Sequence, residues 1–134
     1  MKEIKNDLKE LSKYEVVLFG SCVTGDATSR SDIDIAVITR SRDEKKNSKI
    51  WFYLLGKIPP IYDLKIFEML PLHIKSEVMN NYIVVFGDSL DISEYFYYYR
   101  KLWNDVKFRY ESNRITSHAE RIKGLENRRK IRQM

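Results

Sequence analysis

The chain has 134 residues, which is enough for one domain with a buried core. Its single cysteine, Cys22, excludes a disulfide framework and fits a reducing compartment. No apolar run approaches membrane-spanning length, and residues 1–14 are too polar for a signal peptide. We therefore expect a cytoplasmic protein that does not enter a membrane.

The net charge of +5 comes from the end of the chain. Residues 121–134 contain six basic residues and one acidic residue, so the first 120 residues balance 18 basic against 18 acidic ones. We expect a domain at residues 1–112 and a basic tail at 113–134. Because the basic excess belongs to the tail, nucleic acid is not an expected partner of the domain.

The first predicted elements are a helix and a central strand. Ile4, Leu8 and Leu11 follow helical spacing, which predicts an amphipathic helix within residues 2–13. The next element, Val16 to Phe19, is a continuous apolar run, which predicts a strand covered on both faces.

A turn and a second strand follow. Gly20 allows a sharp turn close to a ligand, and Ser21 adds a hydroxyl at the start of a short helix, a combination that suits a phosphate. Asp32 and Asp34 begin the second strand two residues apart, so both carboxylates leave the same face. Like charges held this close repel unless a cation lies between them.

The remaining elements follow from periodicity and turn residues. An apolar helical stripe runs from Ile50 to Ile58 and stops at Pro59-Pro60, with Trp51 expected in the core. The later predictions are a strand at 61–69 containing Asp63, a helix from Pro71 to about 81, a strand at 82–86, and a long helix at about 92–112 opened by a capping box of Asp91 and Glu94.

The segment from Gly20 to Asp34 resembles the signature of the DNA polymerase beta-like nucleotidyltransferase superfamily. Gly20-Ser21, ten intervening residues and Asp32-Ile33-Asp34 match its Gly-Ser and Asp-x-Asp elements in order and spacing. The resemblance extends over residues 1 to about 110 and is strongest to minimal nucleotidyltransferases encoded as antitoxins beside HEPN toxins. It implies an α/β (α+β) nucleotidyltransferase fold, with a small mixed sheet flanked by helices and a long C-terminal helix.

The resemblance also implies an active site. Asp32, Asp34 and Asp63 would be catalytic and would bind two Mg²⁺ ions, with Glu68 the less favoured third acid. Gly20 and Ser21 would hold the phosphates of ATP, and Arg30 and Ser31 would complete the nucleotide-binding set. Many minimal members carry an arginine soon after Gly-Ser, but here residues 22–24 read Cys-Val-Thr.

Two hypotheses of function follow. In the first, the protein is an enzyme that moves AMP from ATP to a hydroxyl, such as a tyrosine of a HEPN-type toxin. In the alternative, it is a non-catalytic antitoxin or scaffold that binds a helical partner stoichiometrically. The intact set of acids favours the enzyme, because a binding module does not need three acids facing one cleft.

The last predicted helix is unusually aromatic, since residues 95–99 read Tyr-Phe-Tyr-Tyr-Tyr. A helix on a sheet buries about half of its circumference, so Tyr95, Phe96 and Tyr99 are expected to face inward and Tyr97 and Tyr98 outward. Exposed tyrosines favour protein interfaces. We therefore expect this helix to contact a HEPN-type toxin or a second copy of the chain.

Overall fold

The computed structural model describes residues 1–25 and 32–109. It divides into two compact units, residues 1–100 and 101–134, of which the second is described as far as residue 109. Arg30, Ser31 and the basic tail lie outside the described residues. Within the described ranges, no helix combines the length and the apolar character needed to cross a membrane.

The helices and strands alternate along the chain. They are α1 (Lys2–Asp7), β1 (Glu15–Phe19), α2 (Ser21–Thr24), β2 (Ile33–Ile38), α3 (Glu44–Leu55), β3 (Tyr62–Ile66), α4 (Leu72–Asn80) and β4 (Ile83–Phe86). Short 3₁₀ turns at Lys9–Leu11 and Phe67–Met69 follow α1 and β3. The last helix, α5, begins at residue 89 and continues to 109.

The strands form a four-stranded mixed sheet in the order β3-β2-β1-β4. The first two strands pair antiparallel, as do β1 and β4, whereas β2 and β3 run parallel. The apolar run of β1 therefore occupies a central strand, as its sequence predicts, and the expected mixed sheet flanked by helices is confirmed.

Both faces of the sheet are buried. One face packs against the N-terminal segment and α3, and its core contains Leu11, Val16, Leu18, Ile35, Val37, Leu54 and Leu64. The other face packs against α4 and the first turns of α5, and its core contains Val17, Ala36, Phe67, Val78, Met79, Ile92 and Phe96. Residues of β2 alternate between the two cores, which is the period-two pattern expected of a strand.

Two predicted helix starts are wrong. Helix α3 begins at Glu44 rather than near residue 50, because the Asp43 carboxylate accepts hydrogen bonds from the backbone N–H groups of Lys45 and Lys46. Helix α5 begins at residue 89 rather than at 92, because Asp88 is its cap: Asp88 Oδ1 accepts from Leu90 N at 2.9 Å and from Asp91 N at 3.0 Å.

Trp51 does not lie in the core, contrary to the sequence prediction. Its side chain is 36% exposed at the edge of the sheet, and its indole N–H donates to the backbone carbonyl of Leu64 at 2.9 Å. The tyrosine pattern of α5, in contrast, is confirmed: Phe96 and Tyr99 are buried, whereas Tyr97 and Tyr98 are 66% and 47% exposed.

Glu68 fixes the C-terminal end of β2 to α5. Its carboxylate accepts hydrogen bonds from Thr39 N at 3.0 Å, from Arg40 N at 2.9 Å and from the Tyr95 hydroxyl at 2.7 Å. Burial, followed by hydrogen bonds with Tyr99 and Glu68, raises the pKa of Tyr95, so its hydroxyl keeps the proton that it donates. The Arg40 guanidinium lies over the Tyr95 ring, 4.6 Å from its centroid, and pairs with Glu15.

We expect Glu68→Ala to lower the free energy of unfolding by about 2 to 3 kcal/mol, because two half-buried donors, of Thr39 and Tyr95, and the exposed N–H of Arg40 lose a charged acceptor. Urea unfolding followed by circular dichroism measures this change. Glu77→Ala is the matched control, since Glu77 is an exposed carboxylate on α4. Equal unfolding midpoints for the two variants would contradict the structural role of Glu68.

Candidate active site

Three neighbouring strands bring the site residues into one row. Phe19 at the end of β1 pairs with Asp34 on β2, and Asp34 pairs with Asp63 on β3. Directly paired residues point to the same face of a sheet, so the carboxylates of Asp34 and Asp63 stand side by side. Asp63, which the sequence places in a strand, therefore lies on the strand next to that of Asp34.

Gly20 lies directly after Phe19 and closes the row on the β1 side. The Asp34 carboxylate packs against its backbone so closely that a Cβ at position 20 would overlap Asp34 Oδ2 and lie 3.2 Å from its Cγ. Gly20 also has a φ of +76°, which side chains with a Cβ rarely adopt. Both the space and the backbone conformation therefore require glycine here.

Ser21 begins α2, a single helical turn that ends at Gly25. The N–H groups of Val23 and Thr24 bond the Gly20 carbonyl at 3.0 and 3.1 Å, so the turn is held by its own backbone. Cys22 packs against the core, and its Sγ donates to the Phe19 carbonyl at 3.2 Å. Burial raises the pKa of the Cys22 thiol, which opposes its use as a nucleophile.

The surroundings of Asp34 disfavour its negative charge. Its pKa is raised by burial first, then by the negative charge of Asp63 and a hydrogen bond with it, while Lys65 acts in the opposite direction. A cation between the two carboxylates would relieve the repulsion between them. Hard oxygen donors of this kind are the protein ligands that Mg²⁺ prefers, so the pair fits such an ion.

The other acid of the Asp-x-Asp segment is less closely placed. Asp32 is exposed and lies one residue before β2, and its charge makes the smallest of the contributions that raise the pKa of Asp34. In the parts of the chain that the structure describes, no cluster of three or more aspartate, glutamate, histidine or cysteine side chains is close enough to hold a metal ion. The structure thus brings Gly20, Asp34 and Asp63 together, with Asp32 at the margin.

Lys65 lies beside the row of site residues and was not predicted from the sequence. Its Nζ lies 3.5 Å from Asp63 Oδ1, and its side chain is 45% exposed. The sequence does indicate that Lys65 lies next to Asp63, because residues two apart in a strand point to the same face. The residue paired with Lys65 on β2 is Ala36, which is fully buried, whereas Lys65 itself reaches solvent at the edge of the sheet.

Comparison with known proteins agrees with this geometry. The family described as "Nucleotidyltransferase domain" matches residues 1–85. A protein of Methanocaldococcus jannaschii named "Putative protein adenylyltransferase MJ1547" is 40% identical over 109 residues, which cover 81% of this chain and 84% of the relative.

Solved structures share the fold. A crystal structure of a toxin-antitoxin with AMP-PNP contains a chain that superposes with a TM-score of 0.63 at 18% identity, covering 81% of this chain and 93% of that one. A tri-AMPylated Shewanella oneidensis HEPN toxin in complex with an MNT antitoxin gives a TM-score of 0.50 at 21% identity, covering 83% and 92%. The chain belongs to the nucleotidyltransferase family and is a nucleotidyltransferase enzyme, as Gly20-Ser21 and the Asp-x-Asp segment indicate.

Proposed function

We propose that this nucleotidyltransferase moves AMP from Mg²⁺-ATP to a tyrosine hydroxyl of a HEPN-type toxin, which it neutralises as an antitoxin. The observation that carries the proposal is the row formed by Gly20, Asp34 and Asp63. The name of the Methanocaldococcus relative, a protein adenylyltransferase, supports the reaction. The structural neighbours, which include an AMPylated HEPN toxin bound to its antitoxin, support the acceptor.

In this proposal, phosphate binding and metal binding are assigned to different strands of the sheet. Backbone N–H groups at the Gly20-Ser21 turn, with the Ser21 hydroxyl, would hold the β- and γ-phosphates. Asp34 and Asp63, joined by Asp32, would hold Mg²⁺. When bound, Mg²⁺ would neutralise the charge that develops on the phosphates. We place Arg30 and Ser31 in the nucleotide-binding set, as the resemblance implies.

The reaction balances without an additional reactant. The acceptor hydroxyl oxygen forms a bond to the α-phosphorus, the bond from that phosphorus to the α–β bridging oxygen breaks, and pyrophosphate leaves. The proton of the hydroxyl passes to a carboxylate, for which Asp63 is placed because it stands at the edge of the row. The products are the adenylylated acceptor and pyrophosphate.

Lys65 would supply positive charge where the chain has no arginine directly after Gly20-Ser21. The ion pair that it forms with Asp63 joins two groups that are each more than 40% exposed, so it is weak and its loss costs little. The Lys65 ammonium can therefore leave Asp63 for a phosphate oxygen when a nucleotide binds. Lysine serves this purpose as a flexible point charge.

The outward face of α5 is the proposed partner surface. Tyr97 is free to make such a contact, and Leu90, one heptad earlier, is 68% exposed on the same side of the helix. Tyr98 is more constrained, because its hydroxyl accepts a hydrogen bond from Arg42 at 3.1 Å and its ring lies against Tyr99. We propose that this surface binds a helical toxin or a second copy of the chain.

Asp34→Asn should abolish AMP transfer while leaving the fold intact. The substitution removes a metal-binding charge, and it also removes one of two repelling carboxylates, so the melting temperature should stay equal or rise. The measurement is transfer of label from α-labelled ATP with Mg²⁺ to a purified HEPN-type toxin, the proposed acceptor. Glu77→Gln is the control, and undiminished transfer by Asp34→Asn would exclude the enzymatic proposal.

Lys65→Ala should weaken Mg²⁺-ATP binding roughly three- to tenfold, because a charge-assisted contact to phosphate is lost. Adenosine, which has no phosphate, should bind both proteins equally. The shift of the melting temperature with nucleotide concentration measures the affinity. Lys49→Ala serves as the control, since Lys49 is exposed on α3. If Lys65 is only a surface ion-pair partner, its removal will leave ATP binding unchanged.

Replacing Tyr97 and Tyr98 with serine should weaken assembly by about tenfold or more, because exposed aromatic anchors contribute most of the affinity of such surfaces. Light scattering and titration, alone and with a purified HEPN-type toxin, would measure mass and affinity. Tyr53→Ser, at a tyrosine that is 58% exposed on α3, is the matched control. Unchanged mass and affinity would remove this surface from the proposal.

A further inference from the structure

A second surface of the molecule is apolar and adjoins the candidate active site. The edge strand β3 and helix α3 form the walls of a groove of about 560 Å³. Four apolar side chains that line it are more than one third exposed: Trp51, Phe52, Leu55 and Met69. A monomeric protein rarely leaves aromatic and aliphatic side chains grouped in this way without a binding role.

The groove has a fixed position relative to the row of site residues. Across the sheet, the order is Gly20 at the end of β1, Asp34 on β2, Asp63 on β3 and then the groove, which Asp63 and Lys65 also line. The nucleotide-binding turn occupies the β1 side of the row. The open side of Asp63 is therefore the groove side, and a hydroxyl that reaches Asp63 from there approaches opposite to the nucleotide.

We propose that this groove binds the acceptor, an extended apolar segment of a protein that presents its hydroxyl to Asp63. This inference rests on the proposed function and adds the site and the character of the acceptor segment. Five residues of β3 extend about 16 Å, so a segment of similar length would fit alongside it.

The side chains that line the groove favour one class of hydroxyl acceptor, a peptide, over RNA and over a cationic small molecule. The two charged residues in the groove, Asp63 and Lys65, already pair with one another. The walls thus carry no excess of basic groups for RNA phosphates and no excess of acids for a cationic small molecule. Aromatic and aliphatic walls instead match the apolar side chains of a peptide.

One wall is held in place before anything binds. The hydrogen bond from the Trp51 indole to the Leu64 carbonyl ties α3 to the edge strand. It also occupies a backbone acceptor of β3, so an incoming segment would gain most of its affinity from side-chain contacts with Phe52 and Leu55. Because the wall is pre-formed, little ordering opposes binding.

The experiment compares acceptors and groove variants with the full chain. Synthetic peptides with a central tyrosine and apolar flanks, the same peptides with charged flanks, and an RNA oligonucleotide are offered with α-labelled Mg²⁺-ATP. Phe52→Ser, together with Leu55→Ser, removes the apolar wall. Tyr53→Ser is the control on the same helix, because Tyr53 does not line the groove and lies against Lys57. Nucleotide affinity is measured on each protein by thermal shift.

We expect preferential labelling of the apolar peptides by the wild type and by Tyr53→Ser. The Phe52/Leu55 variant should need a roughly ten- to hundredfold higher peptide concentration, because it loses the contacts of two apolar side chains, with unchanged nucleotide affinity. Equal labelling by this variant, equal labelling of charged peptides, or no labelled peptide despite nucleotide binding would overturn the groove and leave the proposed function standing. Labelling of RNA equal to that of the apolar peptides would overturn the groove and the proposed tyrosine acceptor together. A wild-type protein that fails to bind Mg²⁺-ATP would overturn both.

Discussion

The hydrogen-bonded register of three neighbouring strands is the constraint on which the site depends. It places Phe19, Asp34 and Asp63 opposite one another, although they are distant in sequence. A slip of one residue would turn Asp34 into the apolar core and bring Ile33 or Ile35 to the site. The two buried cores prevent such a slip, because each strand residue that belongs to one core would have to move to the other. The fold thus fixes the carboxylates through the packing of residues that never touch a ligand.

Holding Asp34 and Asp63 side by side costs stability. Asp34 is held between the backbone of Gly20 and the carboxyl group of Asp63, and burial makes its charge less favourable still. Such repulsion destabilises the fold unless a cation or a proton intervenes. This position of Asp34 requires glycine at position 20, because a Cβ there would collide with the Asp34 carboxylate. The cost is tolerated because the apolar residues of β1 and β2 next to this end, from Val16 to Phe19 and from Ile35 to Ile38, are buried.

Strands were easier to predict from the sequence than helix starts. The apolar run of β1 and the alternation of β2 are visible in the local sequence. The start of α5 is not, because both Asp88 and Asp91 could cap the helix. In the structure the cap is Asp88, which directly follows the turn at Gly87. Helix α3 begins early through its Asp43 cap, and its first turn is also held by the buried Asn47, which bonds with Thr39 and Ser41, contacts that no local pattern contains. The prediction for Trp51 was wrong, and Lys65 was not predicted, for a related reason: the surroundings of both depend on β3 being an edge strand.

The two ends of β2 distinguish acids that stabilise the fold from acids that are available for chemistry. At the C-terminal end, Glu68 accepts bonds from Thr39, Arg40 and Tyr95, and Glu15 is paired with Arg40, so these charges have fixed donors. At the N-terminal end, Asp34 faces another carboxylate, and the partner of Asp63 is a half-exposed lysine that can move away. Glu68, the alternative third acid, is thereby committed to structure, because withdrawing it would leave several donors unpaired. Asp63 has no comparable structural role, since its ion pair with Lys65 is exposed. Its position on the edge strand makes it accessible both from the proposed nucleotide side and from the groove.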